Sequence, residues 1–205
     1  MESSDVKSFF ATGGQLMHLI ILMSGIAGIL SFLVWEILTW KGLKKFAGVF
    51  LILSPALSLT THALLLTGPR LYREPLHYFT GTPLMLVSLY LMYRSLWAEL
   101  PKKSYSPESK EALCQSGTYA LVRHPGLWWY GLFLFSFYMV TGSQWLIWMG
   151  PIWWLTDLFM VTVEDWFLYP KIFKRYAHYK KKVPFIIPSS ASVKNCIRTW
   201  KEPFK

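Results

Sequence analysis

Long apolar segments separated by short polar stretches dominate the sequence. The apolar segments cover approximately residues 16–40, 46–67, 76–98, 127–140 and 145–163 of the 205-residue chain. About 20 apolar residues suffice to cross the hydrocarbon core of a membrane, so each segment predicts a transmembrane helix. We therefore predict an all-α integral membrane protein with about five transmembrane helices, which form a single domain over residues 1–205.

The pattern changes after Glu164, where aromatic residues alternate with lysine and arginine. This pattern is typical of an amphipathic helix that lies on a membrane surface, with Pro170 as a point where the helix kinks or restarts. Pro184 and Pro188 predict an extended segment over residues 183–188, because proline does not continue a helix. The serine-rich stretch that follows predicts a loosely held tail.

Composition agrees with a membrane protein. Hydrophobic residues make up 53% of the chain and charged residues 16%, which is too apolar for an ordinary soluble domain. The net charge of +10 lies in clusters beside the apolar segments, so we expect contact with anionic lipid headgroups and no nucleic acid partner. No cysteine and histidine residues have zinc-site spacing, so no metal is expected.

Lysine and arginine mark one side of the predicted bundle. With five helices, the opposite side carries only Lys7, Arg70 and Arg73. Every other basic cluster beside a helix falls on the side of the C-terminus, at Lys41, Lys44, Lys45, Lys102, Lys103, Lys110, Arg123, Lys171, Lys174, Arg175, Lys180, Lys181 and Lys182. Basic loops face the cytosol, so we expect an external N-terminus and a cytosolic C-terminus. Cys114 and Cys196 then both lie on the cytosolic side, where a structural disulfide is not expected.

Residues 116–126, with the sequence SGTYALVRHPG, are the most informative polar stretch. They bring Arg123 and His124 to the edge of the apolar segment 127–140, where an ionisable pair is costly unless it has a function or a partner. Pro125 disfavours a helical His124 and suits the first turn of the next helix. Arg123 and His124 should therefore lie on non-helical backbone at a helix N-terminus, a place that attracts anions.

Two blocks of this sequence resemble integral-membrane methyltransferases, the family of isoprenylcysteine carboxyl methyltransferases and phospholipid N-methyltransferases. The first block is SGxYxxVRHP at residues 116–125, and the second joins Glu164 and Asp165 to the YxxYKKKVP sequence at 176–184 and to Ile187 and Pro188. The order and spacing make the resemblance specific over roughly residues 113–188. Leu127 and Trp129 depart from it, since they stand where the family usually has tyrosine and glycine.

The resemblance implies S-adenosylmethionine as the cofactor, held in a cytosolic pocket made by residues 113–126 and 164–188. It implies cofactor contacts from Gly117, Tyr119, Leu121, Val122, Arg123, His124, Pro125, Glu164, Tyr176 and Tyr179. The chemistry of the cofactor suggests roles for some of them: Arg123 and His124 suit its carboxylate, and Glu164 suits its positive sulfonium. We therefore name Arg123 and Glu164 as the catalytic candidates, with the aromatic side chains, Trp166 among them, as possible walls for the adenine.

The acceptor is expected to be lipidic or hydrophobic and to enter sideways from the bilayer. A prenylcysteine-like carboxylate, an aminophospholipid and a hydrophobic thiol all remain open as acceptors. Trp128, Trp129 and Tyr130 are substrate candidates because they follow the motif at membrane depth. Asp157 is another, since it lies two helical turns before Glu164 on nearly the same face, although it could instead pair with Arg94.

The sequence also allows other interpretations of the function and of single residues. Membrane sterol reductases share a similar C-terminal pattern but bind a nicotinamide cofactor, and a non-catalytic membrane protein could retain the same fold. Taken singly, Arg123 and Lys180 could anchor to headgroups, and Arg94 could extend to the membrane interface. His62 is better explained as a neutral histidine bonded to backbone than as a ligand. The sequence makes no prediction of oligomeric state.

Overall fold

The computed structural model describes residues 3–71, 75–99 and 113–201, with side chains from residue 15 onward. Within these residues the structure is helical, and strand-like pairing is limited to a bridge between Arg70 and Ser143. The polar loop before residue 116, where the sequence allows a short surface helix, falls largely on residues 100–112, outside the described residues. An all-α fold is therefore confirmed for the described part of the chain.

Nine α-helices and two π-helical turns make up this part of the chain. The α-helices are α1 (Ser3–Trp40), α2 (Lys44–Leu65), α3 (Pro75–Tyr93), α4 (Thr118–Leu121), α5 (Pro125–Thr141), α6 (Gln144–Val163), α7 (Tyr169–Ile172), α8 (Tyr176–Lys182) and α9 (Ser190–Thr199). One π turn, Arg94–Ala98, extends α3, and the other, Glu164–Leu168, joins α6 to α7.

Three helical stretches are long and apolar enough to cross a membrane: Gln15–Trp40, Lys44–Leu65 and Gln144–Ile172. They indicate a membrane protein. The other two predicted segments form the helices α3, with 19 residues, and α5, with 17 residues, which are not among these three. Their existence and approximate bounds agree with the apolar pattern.

Small residues let the long helices approach closely. Ser24 on α1 lies 2.7 Å from the hydroxyl of Thr61 on α2, and a Cβ at Gly28 would touch Leu57 at 3.4 Å. At Gly25 a Cβ would collide with the ring of Trp153, whose indole nitrogen donates to the carbonyl of Leu22 at 3.0 Å. Such close contacts compensate for the weak hydrophobic drive between helices in lipid. As a result α1 packs against both α2 and α6, while α3 packs against α5.

The segment after Glu164 corrects the expectation of one amphipathic helix. The sixth helix continues through the π turn and α7 to Ile172, the chain turns at residues 173–175, and α8 follows as a separate helix. Pro170 lies in the first turn after the π turn, so the helix changes its hydrogen-bonding pattern next to the position where proline predicts a kink or a restart. Residues 183–189 are non-helical as expected, and the amide of Arg123 donates to the carbonyls of Pro184 and Phe185 at 3.0 and 3.2 Å.

The prediction of a loose tail after the extended segment is wrong. Ser189 and Ser192 form a reciprocal capping box that starts α9, so these serines begin a helix rather than fill a linker. The end of α9 is tied to the motif, since Thr199 accepts a hydrogen bond from the amide of Gly117 at 3.0 Å. Cys196 is buried in this contact, and both it and Cys114 are free thiols.

Two side chains with open interpretations have clear partners. The imidazole of His62 lies 2.7 Å from the Ser58 carbonyl one helical turn earlier, as the neutral interpretation predicts. Arg94 contacts Glu99 at 2.6 Å, and its guanidinium lies 3.7 Å above the ring of Trp200. Arg94 therefore pairs with Glu99 and not with Asp157.

Candidate functional site

A cavity of about 470 Å³ lies where α1, the end of α3, the motif segment, α6 and α8 meet. One end is polar and aromatic, and the other is lined by apolar side chains of α1, α3 and α6. Its volume is within the range of small-molecule pockets. The cavity brings the two sequence blocks, 116–125 and 164–184, into one site.

The backbone around Arg123 and His124 has the conformation that Pro125 predicts. The short helix α4 ends at an extended Val122, His124 occupies the N-cap position of α5 with φ −124° and ψ 69°, and Pro125 begins the helix. No side chain caps the first turn of α5. Pro125 and Gly126 line the cavity at this helix end, which leaves the first turn facing the polar end of the site.

Asp165 is the centre of the polar network behind the cavity wall. Its carboxylate is fully buried and accepts from Arg123 Nε at 2.7 Å and Nη2 at 3.1 Å. The ammonium of Lys180 lies 2.8 Å from the same carboxylate, and the hydroxyl of Tyr176 donates to it at 2.5 Å. A two-pronged arginine contact of this kind is both strong and directional. Asp165 thereby joins the motif to α8.

The remaining donors of Arg123 also point into the fold. Nη1 donates to the carbonyls of Val183 at 2.9 Å and Lys180 at 3.3 Å, where α8 ends. Arg123 therefore satisfies the carbonyls at the C-terminal end of α8 while its charge is balanced by Asp165. Through these hydrogen bonds Arg123 holds α8 and the extended segment (residues 183–188) against the motif.

His124 is enclosed between aromatic rings. Its ring stacks on Tyr169 with centroids 5.7 Å apart, and Phe185 meets it edge-on at 5.4 Å. Burial lowers the pKa of His124 below its ordinary value, and the neighbouring Asp165 offsets this only in part. A neutral imidazole results, with Nδ1 3.5 Å from Glu164 and Nε2 3.5 Å from Asp165.

Three acidic side chains line the cavity: Glu36 of α1, Asp157 of α6 and Glu164 of the π turn. The hydroxyl of Tyr169 bridges two of them, at 3.3 Å from Glu36 Oε1 and 3.1 Å from Glu164 Oε2. The carboxyl groups of Glu36 and Glu164 also hydrogen-bond to each other, and Glu36 Oε2 and Glu164 Oε1 accept from no donor group among the described residues. Two adjacent buried acids suit a ligand that brings a positive charge or a hydrogen-bond donor.

Aromatic side chains also line the cavity. Tyr119, Tyr169, Phe173, Tyr176 and Tyr179 all line the cavity, and the hydroxyl of Tyr179 donates to the Tyr119 carbonyl at 2.7 Å. Burial raises the pKa of Tyr176 and of Tyr179, so both phenols stay protonated and act as hydrogen-bond donors.

A second polar network holds the start of the motif. The carboxylate of Glu99 accepts from the amide of Thr118 at 2.8 Å, from the Thr118 hydroxyl and from Arg94. Gly117 passes beside this carboxylate with φ +58° and ψ −131°, a conformation that favours glycine, and a Cβ there would collide with Glu99. Gly117 is needed for this turn.

The predicted site residues divide into two groups. Those that line the cavity are Tyr119, Arg123, His124, Pro125, Tyr130, Asp157, Glu164, Tyr176 and Tyr179. Those that do not are Gly117, Leu121, Val122, Trp128, Trp129 and Trp166. Trp128 instead donates its indole proton to the Ile186 carbonyl at 2.9 Å and fastens the extended segment.

Sequence reasoning missed several residues of the site. The sequence pattern assigns no role to Glu36, which only interrupts the first apolar segment, or to Tyr169, which belongs to the amphipathic pattern after Glu164. Asp165 and Lys180 belong to the recognised blocks but had no assigned role as partners of Arg123. A signal did exist for Glu36, since a lone acid four residues before the end of an apolar segment is a candidate for a function.

Comparison with models of known protein families identifies the family of this chain. The sequence model of the family DUF1295, described as a protein of unknown function, matches residues 36–183, well over half of the sequence. The chain belongs to this family. The DUF1295 match runs from Glu36 to Val183 and so contains Glu36, Glu164, the first motif block, the second block up to Val183, and the side chains around Asp165. No curated protein and no solved structure matches the chain.

Proposed function

We propose that this DUF1295 protein transfers a methyl group from S-adenosylmethionine to a hydrophobic acceptor at a membrane. The observation that carries the proposal is the single cavity shared by the Arg123 to Pro125 motif and the segment from Glu164 to Tyr179. It joins a polar, acidic and aromatic end to an apolar end. That combination suits a charged nucleoside-containing donor beside a hydrocarbon-bearing acceptor.

The side chains at the polar end fit the methyl donor. Glu164 is a buried acid that lines the cavity, which suits the positive sulfonium. The tyrosines of α8 and Tyr119 offer faces for an adenine ring. The first turn of α5 beside Gly126, where an added Cβ would meet nothing within 4 Å, has room and amides for the donor carboxylate. When bound, the donor supplies an electrophilic methyl group.

The proposal assigns different roles to the two catalytic candidates. Glu164 faces the reacting groups and balances the positive charge that is present only before transfer. Arg123 donates most of its hydrogen bonds to Asp165 and to the carbonyl groups at the end of α8, so it acts mainly as a positioning residue. Much of the catalytic effect would come from orientation and exclusion of water, because the site is enclosed by buried aromatic side chains.

The acceptor would reach the site from the bilayer. Ile29 and Phe32 of α1 and Met92 and Leu96 at the end of α3 line the apolar end of the cavity. Among the described residues, α1 and α3 each pack along other helices rather than along each other. A gap between them would admit a hydrocarbon chain sideways.

We further propose five membrane helices with a cytosolic C-terminus. At 1.5 Å per residue, α5 is about 26 Å long and α3 about 29 Å, which approaches the thickness of the hydrocarbon core. With alternating directions, the C-terminal ends of α1 and α3, the start of α5 and α7 to α9 share one side. That side carries the basic clusters beside the cavity mouth and is expected to face the cytosol.

The purified protein in nonionic detergent tests the proposal. Calorimetric titration should show saturable binding of S-adenosylmethionine and not of NADPH, and label from a methyl-labelled donor should enter a component of a membrane lipid extract. Binding of NADPH instead would favour the reductase interpretation. Binding of neither ligand would contradict an enzyme that uses this cavity in either way.

A further inference from the structure

We infer that α9 binds anionic phospholipid headgroups at the membrane surface and that this contact holds α9 against the motif segment, residues 116–126. The basis is the distribution of side chains around α9, which runs from Ser190 to Thr199. Three sectors of the helix surface differ in burial and in charge. The lipid contact does not depend on the methyl transfer proposed above, so either can fail without the other.

One sector of α9 faces the protein. Successive residues of an α-helix are rotated by about 100°, so Ser192, Cys196 and Thr199 lie within about 60° of one another around the axis. Ser192 and Cys196 are buried, and the hydroxyl of Thr199 accepts from the amide of Gly117 at 3.0 Å. This sector joins α9 to the start of the motif.

The next sector is apolar and exposed. Val193 and Ile197 lie about 100° and 140° around the helix from Ser192. They are 39% and 71% exposed in the structure, and Ile187 in the extended segment before α9 is also exposed. Large aliphatic side chains are unfavourable in water, whereas the boundary between headgroups and acyl chains would cover them. The apolar sector therefore suits a membrane interface.

The third sector is basic and borders the apolar one. Lys194, Arg198 and Lys201 lie at about 180° to 240° on the same scale, because the αR conformation of Trp200 continues the helical spacing. None of the ion pairs among the described residues involves these three side chains, and Arg198 contacts the neutral amide oxygen of Asn195 at 3.1 Å. An apolar stripe beside basic residues is typical of a helix that lies on anionic lipid.

The end of α9 lies beside aromatic side chains that mark a membrane interface. Tyr93 and Trp97 at the end of α3 are exposed, and their rings stack with centroids 6.2 Å apart. Arg94, between them in the sequence, donates to the carbonyl of Trp200 and lies 3.7 Å above its ring. Exposed tryptophan and tyrosine at helix ends are typical of headgroup depth. The basic sector of α9 is therefore within reach of lipid phosphates.

Lipid bound to α9 would act on the motif through two sets of contacts. The first is the hydrogen bond from Gly117 to Thr199. The second is Arg94, which contacts the end of α9 and pairs with Glu99, while Glu99 accepts from the amide of Thr118 at 2.8 Å. Headgroups that hold α9 on the membrane would thereby stabilise the turn at Gly117. An anionic bilayer should favour the arrangement of the motif seen in the structure.

Reaction of Cys196 with a neutral thiol reagent measures how firmly α9 is held. The full-length protein with Cys114→Ser is placed in lipid nanodiscs of phosphatidylcholine, either alone or mixed with phosphatidylglycerol. Each basic side chain near an anionic surface contributes about a fivefold factor in binding. With three such side chains, the buried Cys196 should react about a hundredfold more slowly when phosphatidylglycerol is present. Equal rates in the two kinds of disc would overturn the lipid contact.

Two charge variants locate the contact. Lys194→Gln combined with Arg198→Gln removes two of the three basic side chains and should reduce the effect of phosphatidylglycerol to about fivefold. Lys181→Gln combined with Lys182→Gln is the matched control, since it removes the same charge from exposed positions of α8 and should leave the effect unchanged. An effect of wild-type size in the α9 variant would overturn the role of its basic sector. A reduction of equal size in both variants would show a general charge effect and overturn it too.

Fluorescence quenching distinguishes the membrane from a soluble partner. In cysteine-free protein in the mixed discs, a dye attached at Ile197→Cys should be quenched by brominated acyl chains more strongly than the same dye at Asn195→Cys, which lies about 160° away around the helix. Equal quenching of the two positions by the lipid would overturn the placement of the apolar sector. Quenching of the Ile197 position by aqueous iodide instead would favour a soluble protein partner and likewise overturn the membrane contact.

Cys114 tests the link between α9 and the motif. Its thiol donates to the carbonyl of Ser116 at 3.5 Å, next to Gly117 in the chain. In Cys196→Ser protein, phosphatidylglycerol should therefore also slow the reaction of Cys114, because the lipid stabilises the turn at Gly117 through α9. Protection of Cys196 without protection of Cys114 would overturn the link to the motif and leave the lipid contact standing.

Discussion

Replacing Asp165 with asparagine should open the contact between α8 and the motif. The carboxylate is fully buried, makes two contacts with Arg123 and one with Lys180, and accepts from Tyr176. Asparagine keeps the shape of this side chain but removes its charge, and its NH2 group, which replaces one carboxylate oxygen, cannot accept a hydrogen bond. The change leaves the buried guanidinium without a counter-charge.

The expected loss of stability follows from this geometry. Removing one partner of a buried ion pair costs about 3 to 5 kcal/mol, and the lower figure applies here because Lys180 is partly exposed and contributes less. With about 1.4 kcal/mol for each factor of ten, a loss of about 3 kcal/mol raises the population of the locally open state about a hundredfold.

Reaction of Cys114 with a thiol reagent measures this opening. Cys114 is 4% exposed, burial raises its pKa to about 12, and its neighbour Leu113 packs against Tyr176 and Tyr179. In a Cys196→Ser background, Asp165→Asn should accelerate the reaction about a hundredfold under native conditions.

The control for this measurement is Lys181→Gln. Lys181 is an exposed residue of the same helix, so its replacement should change the rate less than threefold. An acceleration below threefold for Asp165→Asn, or one of equal size in the control, would refute the central role of the Asp165 carboxylate.

Three further predictions concern the motif, the topology and pH. Gly117→Ala should destabilise the folded protein by about 1 to 3 kcal/mol in denaturant melts, because a Cβ would collide with Glu99 at a positive φ; a loss below about 0.5 kcal/mol would contradict this turn geometry. In cysteine-free protein in intact cells, Gln144→Cys should react with an impermeant reagent and Lys194→Cys should not, both positions being exposed, and the reverse pattern would invert the proposed topology. Burial lowers the folded-state pKa of His124, so the contribution of this residue to stability should fall as pH falls below about 6.5, where the unfolded histidine binds a proton more readily. His124→Gln should remove that part of the pH dependence, and a pH profile equal to that of wild type would contradict a buried neutral imidazole.

The apolar pattern predicted the main helices well because each is long enough for composition alone to define it. Observed α2, α5 and α6 begin and end within about two residues of the predicted segments. Pro125 also predicted the backbone of Arg123 and His124, since its effect on the preceding residue is local. Local rules of this kind need no knowledge of the tertiary structure.

The partners of the charged residues could not be predicted in the same way. An acidic residue at the end of an apolar helix looks the same in the sequence whether it is exposed to solvent or buried. Asp165 could have been exposed, but it is fully buried between Arg123 and Lys180. The π turn of Glu164–Leu168 decides this, because it turns Glu164 toward the cavity and Asp165 toward α8. The helix α9 was missed for a similar reason, since serines such as Ser189 begin helices and fill linkers with equal ease.

Titration of the methyl donor and its demethylated product into wild-type protein and Glu164→Gln tests the central claim most directly. The sulfonium charge is present in S-adenosylmethionine and absent from S-adenosylhomocysteine, whereas the carboxylate, the ribose and the adenine are common to both. The account predicts that both ligands bind wild-type protein and that Glu164→Gln weakens the donor about tenfold more than the product. Equal losses for the two ligands would refute the counter-charge role of Glu164, and absence of binding to wild-type protein would contradict the methyltransferase proposal itself.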